Sequence, residues 1–155
     1  MEPKWLDQTL INESGALVSV RSLFEAANHV LFVFYPGDFT AVCTAQLCSY
    51  RDRFPDISKF NISIVGISND STEKHKEFRT TYNFPFPLYT DPKHAFAKAL
   101  GATSKWLLGA ATRGNVLAGK NGEILMKHLD AVPVTHQRVG TLLDELTSLK
   151  QKGLL

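Results

Sequence analysis

Two cysteines, Cys43 and Cys48, are the residues of this chain whose type and spacing could do chemistry. Two thiols in 155 residues cannot form the dense disulfide framework that staples small secreted domains. Ligation of a metal needs more donors than they offer. The five histidines, His29, His75, His94, His128 and His136, supply neither a second cysteine pair nor a His-x3-5-His spacing. No metal or organic cofactor is therefore expected, and redox chemistry between nearby thiols is the reading that survives. Four residues separate the cysteines, which weakens a protein-disulfide oxidoreductase, since that activity normally uses Cys-x-x-Cys.

Cys43 falls in the first turn of a predicted helix that directly follows an apolar strand. At that point unpaired N–H groups and the positive end of the helix dipole favour an anion. The effect matters because the thiolate is the nucleophile. A thiol with a pKa near 8.5 is only about 3% thiolate at pH 7, whereas one tuned to about 6 is roughly 90%. Taken by itself, Cys43 reads equally well as a small buried apolar residue, which is what most free cysteines are. Its neighbours separate the two readings.

The segment Pro36-Gly-Asp-Phe-Thr40-Ala-Val-Cys43 resembles the Pro-x-x-x-Thr-x-x-Cys motif of peroxiredoxins, and it sits at the strand-to-helix junction where that family carries it. Cys43-Thr-Ala-Gln-Leu-Cys48-Ser-Tyr-Arg51-Asp52 is similar to the bacterioferritin-comigratory (PrxQ) branch, in which a second cysteine lies five residues after the first. Phe86-Pro-Leu-Tyr-Thr-Asp91-Pro92 resembles the Phe-Pro-Leu-x-x-Asp stretch of that branch, and Arg113 with Gly122 and Ile124 resembles its Arg-strand-turn-Gly-x-Ile stretch. The likeness covers roughly residues 7 to 150 and implies a thioredoxin-like fold.

The resemblance also implies roles. Cys43 would attack a peroxide and become a sulfenic acid, and Cys48 would condense with it as an intramolecular disulfide. Thioredoxin or a similar dithiol protein would then restore both thiols. The Thr40 hydroxyl would accept from or donate to the peroxide oxygens, although as a residue type it reads equally as a helix cap. Pro36 would shield the thiolate from water, against a plainer role as strand terminator. Arg113 would stabilise the thiolate and the charge that develops as the O–O bond breaks. Arg51 reads as a residue of the helix surface.

The sequence departs from the branch in places. Trp5-Leu-Asp-Gln-Thr-Leu10 replaces the usual Ala-Pro-Asp-Phe, Gln46 stands where Glu is usual, and Asn115-Val116 and Ala118-Gly119 replace Thr-Phe and Ile-Asp. The departures at Gln46 and after Arg113 are the best support for a third reading, a redox-sensing or binding module without enzymatic activity.

The elements that must position these residues follow from periodicity and punctuation. Leu10-Ile11 and Leu17 to Val20 flank the turn-forming Asn12-Glu13-Ser14-Gly15 and predict a short hairpin. A brief helix is predicted over Leu23 to Asn28. Val30 to Tyr35 is apolar without alternation, as a strand covered on both faces must be. From Thr40 the spacing turns helical, with Val42, Leu47, Tyr50 and Phe54 able to share a buried face before Pro55 ends the run. Ile62 to Ile67 predicts a second buried strand. Ser71-Thr72 caps a helix through Tyr82, and Asp91-Pro92 caps another through Leu100. Lys120-Asn121-Gly122 predicts a tight turn between Val116-Leu117 and Ile124 to Met126. A last helix, about Thr135 to Gln151, places Val139, Leu142, Leu143, Leu146 and Leu149 on one stripe. The order predicts an α/β protein with a central mixed β-sheet, helices on both faces and a short N-terminal hairpin.

The whole chain bounds the rest. Its length suits one compact domain over 1–155, and 44% hydrophobic with 21% charged residues is ordinary for a globular protein. Net charge is +2 with no basic run, which argues against nucleic acid. No apolar run approaches the roughly 20 residues that cross a membrane, and the opening residues lack the order of a signal peptide, so a cytoplasmic protein is expected. A monomer or weak homodimer is the expected assembly.

Overall fold

The computed structural model describes residues 2–103, 113–130 and 138–155. Its frame is a seven-stranded sheet in the order β2-β1-β5-β4-β3-β6-β7. The strands are β1 (Thr9–Ile11), β2 (Leu17–Ser19), β3 (His29–Phe34), β4 (Ile62–Ser68), β5 (Leu88–Thr90), β6 (Gly114–Gly119) and β7 (Ile124–Leu129). The helices are α1 (Ala41–Asp52), α2 (Phe54–Ser58), α3 (Thr72–Tyr82), α4 (Ala95–Ala99) and α5 (Val139–Gln151), with short 3-10 turns at Lys4–Asp7, Val20–Phe24 and Pro92–His94. Strands β3, β4 and β5 run parallel, and β6 and β7 close the other side antiparallel, so the sheet is mixed as the order of elements predicts.

β3 shows why its sequence has no alternation. Val30, Phe32 and Phe34 point into a core completed by Trp5, Leu6, Phe24, Phe96 and Leu100. Leu31, Val33 and Tyr35 point to the opposite face, where α1, α3 and α5 contribute Leu47, Tyr50, Phe78, Leu142 and Leu146. Successive strand residues face opposite ways, so a strand with a core on each side is apolar throughout. The cover is uneven, with α4 and 3-10 turns on one face and α1, α2, α3 and α5 on the other.

Several local expectations are met in register. The Asn121-Gly122 turn joins β6 to β7, with Gly122 at a φ of +94° and a position where any Cβ would overlap Pro3. Gly114 is demanded by closeness instead, because a Cβ there would overlap the carbonyl oxygen of His128 on β7. Ser71 caps α3 by accepting from the Lys74 N–H at 3.2 Å.

Other expectations shift. The helix predicted over 23–28 is a 3-10 turn displaced to Val20–Phe24. The helix predicted from Asp91 to Leu100 is divided, with Lys93 and His94 both at a φ of +55°. The Asp91 carboxylate reaches past them to accept from the N–H groups of Phe96 and Ala97, each at 2.9 Å. The break expected at Pro55 falls slightly earlier, at Arg53 between α1 and α2, and Pro55 itself sits in the first turn of α2, where its missing N–H costs nothing. The predicted residues 135–137 of the last helix lie outside the described residues, and α5 runs from Val139. Among the described residues, no helix is long and apolar enough to cross a membrane.

Candidate active site

The parallel strands end where α1 begins. Cys43 is the third residue of α1, fully buried, in the turn whose N–H groups have no partner within the helix. Thr40 occupies the N-cap without a side-chain cap hydrogen bond, and the first turn holds no acidic residue.

Register brings the cation. Gly114 pairs with Phe34, so the preceding residue, Arg113, lies beside the end of β3 where the chain turns into α1. Arg113 is 3% exposed, and its Nη1 donates to Cys43 Sγ and to Gln46 Oε1, both at 2.9 Å. Two positions on, Asn115 is fully buried and its Nδ2 donates to the Tyr50 hydroxyl at 2.8 Å. Residues 43, 46 and 50 form one face of a helix, and 113 and 115 one face of a strand. The two faces meet as a polar clamp inside the core. Burial pushes the Tyr50 hydroxyl up to about 12, against smaller lowering from Asn115 and Gln46, so it stays a neutral phenol.

The buried face of α1 is therefore Cys43, Gln46, Leu47 and Tyr50, which keeps Leu47 and Tyr50 of the predicted face and has Cys43 and Gln46 in place of Val42 and Phe54. Val42 is half-exposed and Phe54 belongs to α2. An apolar-only reading passes over Gln46 because its partner, Arg113, is supplied by the residue just before β6.

Cys48 lies on the same helix, half-buried against the core that contains Cys43, and both thiols are free. Burial pushes the Cys48 thiol up, with Arg51 pulling it down and Asp52 raising it further. Arg51, read from sequence as a surface residue, donates from Nη1 to the Tyr82 carbonyl at 2.8 Å and pairs with Asp52 at 2.9 Å. It ties the C-terminal half of α1 to the end of α3.

Pro36 is half-buried and Thr40 exposed, at the two ends of the segment joining β3 to α1. The Thr40 hydroxyl does not cap the helix; it donates to the Gly37 carbonyl at 3.0 Å. Between them, Phe39 sits at a φ of +63° and stacks obliquely on Phe78 at 4.8 Å. Asp38, a position that sequence reasoning passes over, is buried with its carboxylate against His75 at 2.6 Å and Tyr35 at 2.7 Å. Asp38, Asp70 and His75 bring potential ligand atoms within 4.8 Å of one another, but each carries hydrogen bonds to protein groups. A buried carboxylate-imidazole-phenol cluster is what the spacing of 35, 38 and 75 concealed.

Residues 3–127 match the AhpC/TSA family. The chain is 34% identical over 131 residues to the chloroplastic peroxiredoxin Q of Sedum lineare, covering 79% of this chain and 69% of that one. It is 32% identical over 138 residues to peroxiredoxin bcp1 of Schizosaccharomyces pombe, covering 83% of this chain and 65% of that one. The likeness to the chloroplastic peroxiredoxin Q of Oryza sativa subsp. japonica, 34% identical over 116 residues, covers 75% of this chain and 52% of that one. Among solved structures, the bacterioferritin comigratory protein of Xanthomonas campestris superposes with a TM-score of 0.78 at 23% identity, covering 98% of this chain and 96% of that one. At that identity the likeness establishes the thioredoxin-like fold.

Proposed function

Starting from the fact that this chain belongs to the AhpC/TSA family, in its peroxiredoxin Q/Bcp branch of thiol-dependent peroxidases, we propose that it reduces peroxides at Cys43 with Cys48 as resolving thiol. The observation that carries this reading is the buried Arg113 guanidinium donating to Cys43 Sγ at 2.9 Å, at the N-terminus of α1. A cation and a helix N-terminus converging on one sulfur stabilise negative charge on it, which is what an attacking thiolate requires.

In the first step the Cys43 thiolate attacks the terminal oxygen of ROOH. An S–O bond forms, the O–O bond breaks, and RO⁻ leaves and takes a proton from water, giving ROH and a Cys43 sulfenic acid. Arg113 stands where charge on the departing oxygen can be met without reorganisation. Thr40 has its proton committed to Gly37, so toward peroxide it serves as an acceptor that orients the O–H of the substrate. Pro36 covers the sulfur from water. In the second step Cys48 attacks the Cys43 sulfur, water leaves, and a disulfide remains. A dithiol protein such as thioredoxin supplies the two electrons and two protons that restore both thiols.

The similar Xanthomonas protein has alkyl peroxide reduction activity, so organic hydroperoxides join hydrogen peroxide as substrates of this chain. We take residues 1–155 as one working domain, cytoplasmic, and a monomer or weak homodimer. A non-enzymatic redox module loses its support, because Gln46 and Asn115, the departures that favoured it, are built into the clamp around Cys43. Intact mass after one equivalent of hydrogen peroxide tests the proposal. Loss of two hydrogens, reversed by a thioredoxin system, is expected, and an unchanged mass overturns it.

A further inference from the structure

The segment of residues 36–40 is held from outside by groups that the peroxide reaction does not itself use. Its pivot is the Gly37–Asp38 peptide. The carbonyl of that peptide accepts the Thr40 hydroxyl at 3.0 Å, and its N–H donates to Asp70 Oδ2 at 2.7 Å. One peptide plane therefore connects Asp70 to the orientation of Thr40. Asp70 Oδ2 also accepts from Ser68 Oγ at 2.7 Å, its Oδ1 pairs with Lys74 at 3.1 Å, and its carbonyl accepts from Thr90 Oγ1 at 2.7 Å. Burial pushes the Asp70 carboxyl up, but hydrogen bonds from Ser68, the Asp38 N–H and Lys74 outweigh it and hold it below the usual carboxylate range. It remains an acceptor for the peptide.

The side chain of Asp38 fixes the other end of the same peptide. Its Oδ1 accepts from the Tyr35 hydroxyl at 2.7 Å and its Oδ2 meets His75 Nδ1 at 2.6 Å, with Asp38, His75 and Tyr35 all buried. Burial and the Asp38 charge keep Tyr35 a neutral phenol and hence a donor. His75 Nε2 faces Ser68 Oγ at 3.5 Å, which closes the network back onto Asp70. Directly after this anchor, Phe39 adopts a left-handed backbone that aromatic residues seldom take, as expected of a segment whose surroundings over-determine its path.

We propose that Asp70 and the Asp38–His75 pair are positioning residues of the peroxide step, fixing the Gly37–Asp38 peptide so that Thr40 presents its lone pairs, and not its proton, to the substrate. The proposal rests on the thiol-peroxidase reading above. It places the tuning of substrate orientation on the ends of β4 and α3, separate from the tuning of the sulfur by Arg113.

The two functions are read by two reagents in a Cys48→Ser background. Hydrogen peroxide needs an oriented O–O bond, whereas iodoacetamide needs only the Cys43 thiolate. Asp70→Ala and His75→Ala are expected to slow Cys43 oxidation by about 10- to 100-fold, the scale of a misplaced contact, with alkylation within about twofold of the parent. Asp70→Asn and His75→Asn, which keep an acceptor and a donor in place, should recover most of the loss and give folded protein if the alanine variants do not. Thr40→Val should produce a similar loss, and Asp70→Ala should add little to it. Equal falls in oxidation and alkylation, losses that multiply with Thr40→Val, or unimpaired oxidation in folded variants would each overturn the proposal. Failure of the parent Cys43 to react with peroxide at all would instead overturn the peroxidase reading on which it stands.

Discussion

At the scale of single residues, the sulfur of Cys43 is defined by what touches it, and two substitutions test this. Cys43→Ser should abolish peroxide consumption while the fold persists, because a serine hydroxyl at neutral pH is no anion; more than a trace of remaining activity would reassign the nucleophile. Arg113→Ala removes the donor at 2.9 Å. Peroxide reaction should then slow by on the order of 10²-fold, the usual scale for one preorganised electrostatic partner. Alkylation of Cys43 at fixed pH should slow as well, and an unchanged alkylation rate would remove Arg113 from the site. Cys43, Thr40 and Pro36 stand together in one short motif, and their roles come from the resemblance that the motif carries. Arg113 lies 70 residues from Cys43 and was reached through a resemblance, not through spacing. Asp38 and Asp70 carry no sequence signal of their own, and His75 is weighed in sequence only as a metal ligand. A buried acid looks in sequence like any surface acid until β4 and α3 bring its partners to it.

At the scale of the element, α1 has two demands that oppose one another. It must be formed for its N-terminus to serve Cys43. Under the proposed resolution by Cys48 it must also open, because residues five apart in a helix stand roughly 8 to 9 Å between Cα atoms, and a disulfide tolerates only about 4.4 to 6.8 Å. Its first turn suits the compromise. Thr44 bonds back to the Thr40 carbonyl through its hydroxyl at 2.7 Å as well as its N–H at 2.9 Å, which weakens a helix locally, and the side chain of the N-cap residue Thr40 makes no capping hydrogen bond. Arg51 fastens the other half to Tyr82. Oxidation should therefore cost helical circular dichroism and amide protection across about residues 40–50, with the C-terminal turn retained. Cys48→Ser should keep the helix, accumulate sulfenic acid and lose turnover with thioredoxin. Unchanged protection in the oxidised protein would make Cys48 a bystander. The pH dependence has a fixed sign. Burial raises Cys48 above the ordinary thiol range, so the neutral form is favoured, that stabilisation is lost as pH rises through its titration, and the attacking thiolate grows in the same direction. Disulfide formation from the sulfenic acid should accelerate from pH 7 toward 9, while a flat profile would separate the second step from Cys48 ionisation. The existence of α1 was legible from apolar spacing. Its buried face was not, because Gln46 is internal only by virtue of Arg113.

At the scale of the molecule, one sheet separates two cores, and only one of them touches the cysteines. The sheet, its mixed strand directions and the Asn121-Gly122 turn could be read from apolar runs and turn chemistry, since β3 carries both cores on alternate residues. The broken helix at 92–99 could not, because Asp91 caps an α4 that starts three residues later than an Asp-Pro pair suggests. The separation of cores predicts that stability and activity can be uncoupled. Phe32 is fully buried in the core remote from Cys43, with its ring at 5.0 Å from Phe96, 6.2 Å from Trp5 and 6.1 Å from Phe24, near perpendicular to each. Phe32→Ala should cost about 3 to 5 kcal/mol, within the 5 to 15 kcal/mol that a domain of this size usually holds, and so should leave a folded protein. Leu47 faces the other core from α1, one residue from Gln46. Leu47→Ala should cost about 2 to 5 kcal/mol and also loosen the helix that carries Cys43. Denaturant midpoints should fall for both, whereas the single-turnover rate with peroxide, measured well below those midpoints, should be nearly unchanged for Phe32→Ala and reduced for Leu47→Ala. Equal rate losses in the two variants would mean that the sheet transmits strain from one core to the other, and that the site depends on the whole packing and not on the face that bears it.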